Sequence, residues 1–207
     1  MRYNTIILDF DGTLADTFPV VFGEVKKIAK EEKVSELLSD RITDFRNMGA
    51  DQLLKEFKVP FYKLPFILRR VRSVVHTQSK ELVLFDGVQK VLESLHKKGV
   101  MLGIASSNQE DTIQTVLEKY HLDLFSFIHT EFNIFGKAQM LKGILKKYSL
   151  VPEKTLYVGD EVRDIEACQK ISLDCAAVTW GFNLKHILSK YNPTFLIEEP
   201  ENLISLI

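Results

Sequence analysis

From Phe85 onward the chain repeats one pattern, an amphipathic helical stretch followed by a short apolar run. The runs fall at 100–105, 127–129, 155–158, 175–178 and 194–197, and helical spacing occupies 88–98, 109–120, 137–148, 164–171 and 184–190. An earlier run covers 5–9 and is apolar at consecutive positions, as expected of a strand buried on both faces. Helix–strand alternation of this kind builds a parallel sheet with helices on both faces, an α/β, Rossmann-like architecture. A short helix is expected to close the chain.

Residues 16–83 break the pattern. Val21, Val25 and Ile28, then Leu53, Leu54 and Phe57, then Phe66, Ile67, Val71, Val74 and Val75 recur at helical spacing, and Pro65 is placed to open a helix. The chain therefore divides into an α/β core (1–15 and 84–207) and an inserted α-helical cap (16–83), with hinges expected at 12–18 and 80–87.

In open parallel sheets, ligands gather at the carboxyl ends of the strands, and the polar motifs fall there. Asp9-Phe10-Asp11-Gly12-Thr13-Leu14 follows the first strand, Ser106-Ser107-Asn108 the second, and Gly159-Asp160-Glu161-Val162-Arg163-Asp164 the run at 155–158, while Lys137 opens a helix. Carboxylates at the end of a buried strand are costly unless a cation or a reaction uses them. Four converging Asp side chains would repel unless a hard cation sat among them, and a few oxygen ligands favour Mg²⁺. Lys137 would offset the remaining charge, and Ser106 and the Ser107 amide offer donors to phosphate oxygens.

These ordered motifs resemble those of the haloacid dehalogenase superfamily of phosphohydrolases. The helical insert resembles that family's cap of the first type, and Thr179-Trp180-Gly181-Phe182 with Pro193-Thr194-Phe195-Leu196-Ile197 resembles its phosphoglycolate phosphatase-like branch. The resemblance implies Asp9 as nucleophile, forming an aspartyl phosphate, and Asp11 as the acid that protonates the leaving oxygen and then activates water. It implies Ser106, Ser107, Asn108 and Lys137 as phosphate-binding residues, with Ser106 and Lys137 also counted as catalytic. Asp9, Asp160 and the backbone carbonyl of Asp11 would bind Mg²⁺, with Asp164 a ligand through water or an orienting group. Arg46, shortly before Gly49, resembles a cap element that contacts substrate. Ser106-Ser107-Asn108 stands where many relatives have Thr-Asn-Lys.

The expected activity is hydrolysis of a small phosphate monoester, with phosphoglycolate as the example that the branch resemblance suggests and a sugar phosphomutase or a pyrophosphatase as the alternative on the same scaffold. A signalling receiver domain also gathers acids, a hydroxyl and a lysine, but is shorter and lacks such an insert.

A net charge of −1 in 207 residues gives no bulk reason to expect nucleic acid or an acidic membrane as partner. The expected partner is a small phosphorylated metabolite, and the expected state a monomer or homodimer. With no leader-like segment ahead of the first strand, and only Cys168 and Cys175 in the chain, a reducing cytoplasm is the expected setting. The two cysteines are expected to be small buried residues. The five histidines show no metal spacing, Arg69-Arg70-Val71-Arg72 reads as a solvated helix face, and Phe18 and Phe22 read as packing.

Overall fold

A computed structural model describes residues 2–31, 46–48, 61–132 and 136–207. Its strands are β1 (Thr5–Leu8), β2 (Met101–Ser106), β3 (Phe125–Thr130), β4 (Thr155–Gly159), β5 (Asp174–Val178) and β6 (Phe195–Ile197). They form one sheet in the order β3-β2-β1-β4-β5-β6. Every pairing is parallel, and Ile7 of β1 stands between Gly103 and Tyr157 at the centre.

Helices α1 (Phe18–Glu31) and α2 (Leu64–Thr77) precede α3 (Val88–Lys97), α4 (Glu110–Lys119), α5 (Lys137–Lys147), α6 (Val162–Lys170) and the short α7 (Lys185–Leu188). Side chains alternate across a strand, so the sheet carries two apolar cores. Ile6, Leu8, Ile104 and Val158 pack with Leu92 and Leu95 of α3 and Ile113 and Val116 of α4. Ile7, Tyr157 and Ala177 pack with Leu141 and Ile144 of α5 and Ile165 and Cys168 of α6. Cys168 and Cys175 are buried and unbridged, as expected.

Four core helices end in the same way. After α3, α4, α5 and α6 the residues Gly99, His121, Ser149 and Ser172 adopt φ of 79°, 54°, 52° and 56°. The next residue, Val100, Leu122, Leu150 or Leu173, then donates its amide to the carbonyl of Leu95, Leu117, Leu145 or Cys168. This is the Schellman closure, with an apolar residue turned back toward the core.

The differences from the expected boundaries have local causes. The strand expected at 127–129 runs over Phe125–Thr130, because β3 is an edge strand whose half-exposed residues give no continuous apolar run. α6 starts at Val162 rather than Asp164, because Asp164 is its third residue and accepts from the Glu161 amide in a capping box. The stretch 184–190 divides into α7 and a 3₁₀ turn, Ser189–Tyr191, and the closing helix is 3₁₀, Pro200–Leu206.

Outside the sheet, α1 and α2 pack against each other, with Pro65 in the first turn of α2 as the sequence suggests. Buried Glu24 accepts from Arg70 at 2.6 Å across that contact. Leu53, Leu54 and Phe57 lie outside the described residues. The two connections to the sheet run side by side: Asp16 donates to the Val83 carbonyl at 2.9 Å and Phe85 to the Leu14 carbonyl at 3.1 Å. Among the described residues, no helix is long and apolar enough to cross a membrane.

Candidate active site

The ends of β1, β2 and β4 and the start of α5 meet at one point. Asp9, Asp160 and Asp164 are buried, and one carboxylate oxygen from each lies within 4.8 Å of the others. Lys137, itself buried, reaches the Asp9 Oδ2 and stands 2.8 Å from Asp164 Oδ1. Its ammonium lies over the Tyr157 ring, 5.1 Å from the centroid. One lysine thus links an acid from the first motif to one from the last.

Each carboxylate is held by further donors. Asp9 Oδ1 accepts from the Phe10 amide at 2.7 Å. Asp160 accepts from the Thr13 hydroxyl at 2.8 Å and the Phe182 amide at 2.7 Å. Asp164 Oδ2 accepts from the Asp160 and Glu161 amides at 3.1 and 3.0 Å. Asp164 is therefore both a helix cap and a member of the acidic cluster, two roles that the spacing of the motif left open.

Gly12 makes this closeness possible. It turns at φ 73°, and a Cβ there would overlap the Asp160 carboxylate and the Phe182 ring. A Cβ on Gly181 would likewise meet the Gly12 carbonyl and Asp160.

The electrostatics separate the acids. Burial raises the pKa of Asp9, against the pull of Lys137, and raises that of Asp160 well above the carboxylate range, with Glu161 and Asp164 adding repulsion. Burial also opposes ionisation of Asp164, but Lys137 and Arg163 outweigh it and hold that carboxyl low. Burial and the Asp9 charge push Asp11 up to about 6, which suits a group that must both give and take a proton. Two buried carboxyls that resist ionisation beside a third that stays charged form an all-oxygen donor set that a hard cation would stabilise.

Asp11 turns away from the cluster. Its carboxylate faces a cavity of about 250 Å³ between the sheet and helices α1 and α2. Asn108 Nδ2 donates to both of its oxygens, at 2.9 and 3.2 Å. Asn108, expected on a phosphate, uses its side chain to hold the acid. Ser106 is fully buried and its Oγ accepts from the Asn108 amide at 3.0 Å, while Ser107 lines the cavity.

Arg46, expected to contact substrate, lies against the loop at Gly181 and Phe182. Its guanidinium donates to the Gly181 and Phe182 carbonyls, at 2.5 and 3.1 Å, and lies 5.5 Å from the Phe18 ring centroid. Asn183 donates to the Arg46 and Met48 carbonyls from the core side, and Phe18 meets Phe182 edge-on at 5.2 Å. Arg46 thereby ties the insert to the loop that also supplies the Phe182 amide to Asp160.

Sequence reasoning missed Thr13, Tyr157, Phe182 and Asn183 as supports of the cluster, and Arg72 as a wall of the cavity. The stretch Trp180-Gly181-Phe182 was the available signal for Phe182. Arg72 carried none, because its neighbour Arg70 does lie on the outer face, paired with Glu31.

A parallel α/β sheet with acids, a lysine and a serine gathered at its strand ends defines a phosphohydrolase-type scaffold. The chain belongs to the haloacid dehalogenase-like hydrolase family, whose model matches residues 6–178. It is 30% identical over 203 residues to a phosphoglycolate phosphatase of Synechococcus elongatus, covering 98% of this chain and 96% of that one. It is 26% identical to the pyrophosphatase PpaX of Oceanobacillus iheyensis, over 100% of this chain and 98% of that one. A haloacid dehalogenase-like hydrolase from Streptococcus pneumoniae shares its fold, with a TM-score of 0.80 at 21% identity over 99% of this chain and 98% of the other.

Proposed function

We propose that the protein is a Mg²⁺-dependent phosphatase that hydrolyses a small phosphate monoester through an aspartyl phosphate on Asp9. The single observation that carries this reading is the contact of Lys137 with both Asp9 and Asp164, beside Asp160, with Asp11, two residues from Asp9, facing a cavity.

In the first half-reaction the Asp9 carboxylate attacks phosphorus. The ester oxygen departs with the proton of Asp11, and the phosphoryl group is left on Asp9. In the second half, Asp11 takes a proton from water as that water attacks the same phosphorus, which frees phosphate and restores the Asp9 carboxylate. Lys137 offsets negative charge on the reacting carboxylate throughout, and the Ser106 hydroxyl and Ser107 amide are donors for the phosphoryl oxygens. Asp9, Asp160 and the Asp11 carbonyl would hold Mg²⁺, with Asp164 behind them, and the ion when bound supplies positive charge to the phosphoryl oxygens. Asn108 keeps Asp11 aimed at the cavity.

Residues 16–83 act as a cap that opens for substrate and closes to exclude water. The paired backbone connections at Ala15 and Leu84 suit a hinge, and the Arg46 contacts suit the closed state. The test is phosphate release from a panel of phosphorylated metabolites with Mg²⁺. The reading expects turnover that is lost in Asp9→Asn and in Asp11→Asn. Turnover by Asp9→Asn at the wild-type rate would refute it.

A further inference from the structure

The cavity above Asp11 contains a cation that the proposed chemistry does not use. Arg72, on α2, reaches down to the second-strand loop, where its Nη2 donates to the Asn108 carbonyl at 2.9 Å. Its guanidinium carbon lies 4.9 Å from the centre of the Phe132 ring. Among the described residues, its buried Nε has no hydrogen-bond partner. Among the described residues it also has no ion pair. Burial therefore lowers its pKa, and the Asp11 charge opposes that effect from close by.

This differs from the other arginines nearby. Arg70 is matched by Glu24 and Glu31, and Arg163 by Glu161. A guanidinium offers five donors in a flat fork suited to carboxylate or phosphoryl oxygens, and leaving it half-buried without an ion pair is unfavourable. A bound anion would relieve that cost.

Position gives the anion a role. Asn108 joins the two groups, donating to Asp11 from its side chain and accepting from Arg72 on its backbone. A leaving oxygen protonated by Asp11 is thus one residue away from Arg72. Between them the cap side of the cavity presents Val21, Leu68, Val71 and Val75. A short stem fits against those apolar groups, and about 250 Å³ is at the small end for a ligand pocket.

We infer that Arg72 receives a second oxyanion, carried on the leaving group of the substrate, and so sets the preference for substrates with an anionic leaving group over phosphate esters whose leaving group is uncharged. The inference rests on the phosphatase reading above and deepens it. The oxyanion is a carboxylate or a second phosphoryl group, which share the same fork-to-oxygen chemistry.

The experiment compares three substrates with Mg²⁺: carboxymethyl phosphate (phosphoglycolate), 2-hydroxyethyl phosphate, whose leaving group is uncharged, and inorganic pyrophosphate. The wild-type protein is expected to favour a substrate with an anionic leaving group over 2-hydroxyethyl phosphate. Arg72→Gln is expected to lower that kcat/KM ratio by about 10- to 100-fold, chiefly through KM, as loss of a charge-assisted bond would. Arg72→Lys keeps the cation and the stem, and is expected to recover part of the ratio. Whichever of carboxymethyl phosphate and pyrophosphate loses more names the oxyanion. An unchanged ratio in both variants, with the wild-type protein active, overturns the inference and leaves the phosphatase reading standing. No phosphate release from any of the three by the wild-type protein overturns both.

Discussion

The carboxylate cluster and the helical insert manage charge in opposite ways. In the cluster three acids and a lysine lie almost wholly out of solvent, and each acid is held by at least one amide or hydroxyl besides its ionic neighbours. In the insert, Arg70 and Glu31 pair in the open, and Tyr62 and Phe66 stand largely exposed. Surface pairs of the second kind contribute little to stability, whereas a buried set collapses if one member is removed. On the proposed function the contrast suits different duties: the cluster would fix geometry for the reaction, and the insert would move around its contacts at Arg46 and Arg72.

Substitutions test that division from the largest effect downward. Asp9→Asn keeps the shape of the cluster and removes the attacking oxygen, so kcat should fall by about 10³- to 10⁴-fold in a phosphate-release assay. Lys137→Met leaves two buried carboxylates without their shared cation. It should lower kcat by about 10²-fold and unfolding free energy by about 3 kcal/mol, read by denaturant titration. Gly12→Ala should cost about 2 kcal/mol, because a side chain must adopt φ 73° and push on Asp160. A Gly12→Ala protein as stable as the wild type would mean that the first-motif turn is looser than the cluster requires.

On the other side of the comparison, Arg46→Ala removes two hydrogen bonds between the insert and the loop at Gly181 and Phe182. It should change kcat/KM by only about five- to tenfold while leaving the melting temperature within a few degrees, since the lost contacts are worth about 1 kcal/mol. A loss as deep as that of Asp9→Asn would erase the proposed division between reaction and closure.

Much of this was legible in the chain. Consecutive apolar positions at Thr5-Ile6-Ile7-Leu8 identify a central parallel strand because burial on both faces leaves no room for polar residues. The acids could be found because they stand where such strands end. The edge strand β3 was read too short, since its exposed side need not be apolar. The contacts of Asn108 and Arg72 were hidden for a different reason. What each side chain does depends on a partner far away in sequence, Asp11 for one and the Asn108 carbonyl for the other. Arg70 and Arg72 are two residues apart on one helix, so they lie on different faces, one in solvent and one in the cavity. Nothing in local spacing says which face meets the sheet.

The nucleophile can be tested directly by stopping a turnover of p-nitrophenyl phosphate with acid and locating any bound phosphoryl by peptide mass spectrometry. The account predicts one phosphoryl on the peptide that carries Asp9, absent when Asp9→Asn is treated in the same way. A phosphoryl found on another side chain, or turnover with Asp9 never modified, would contradict it.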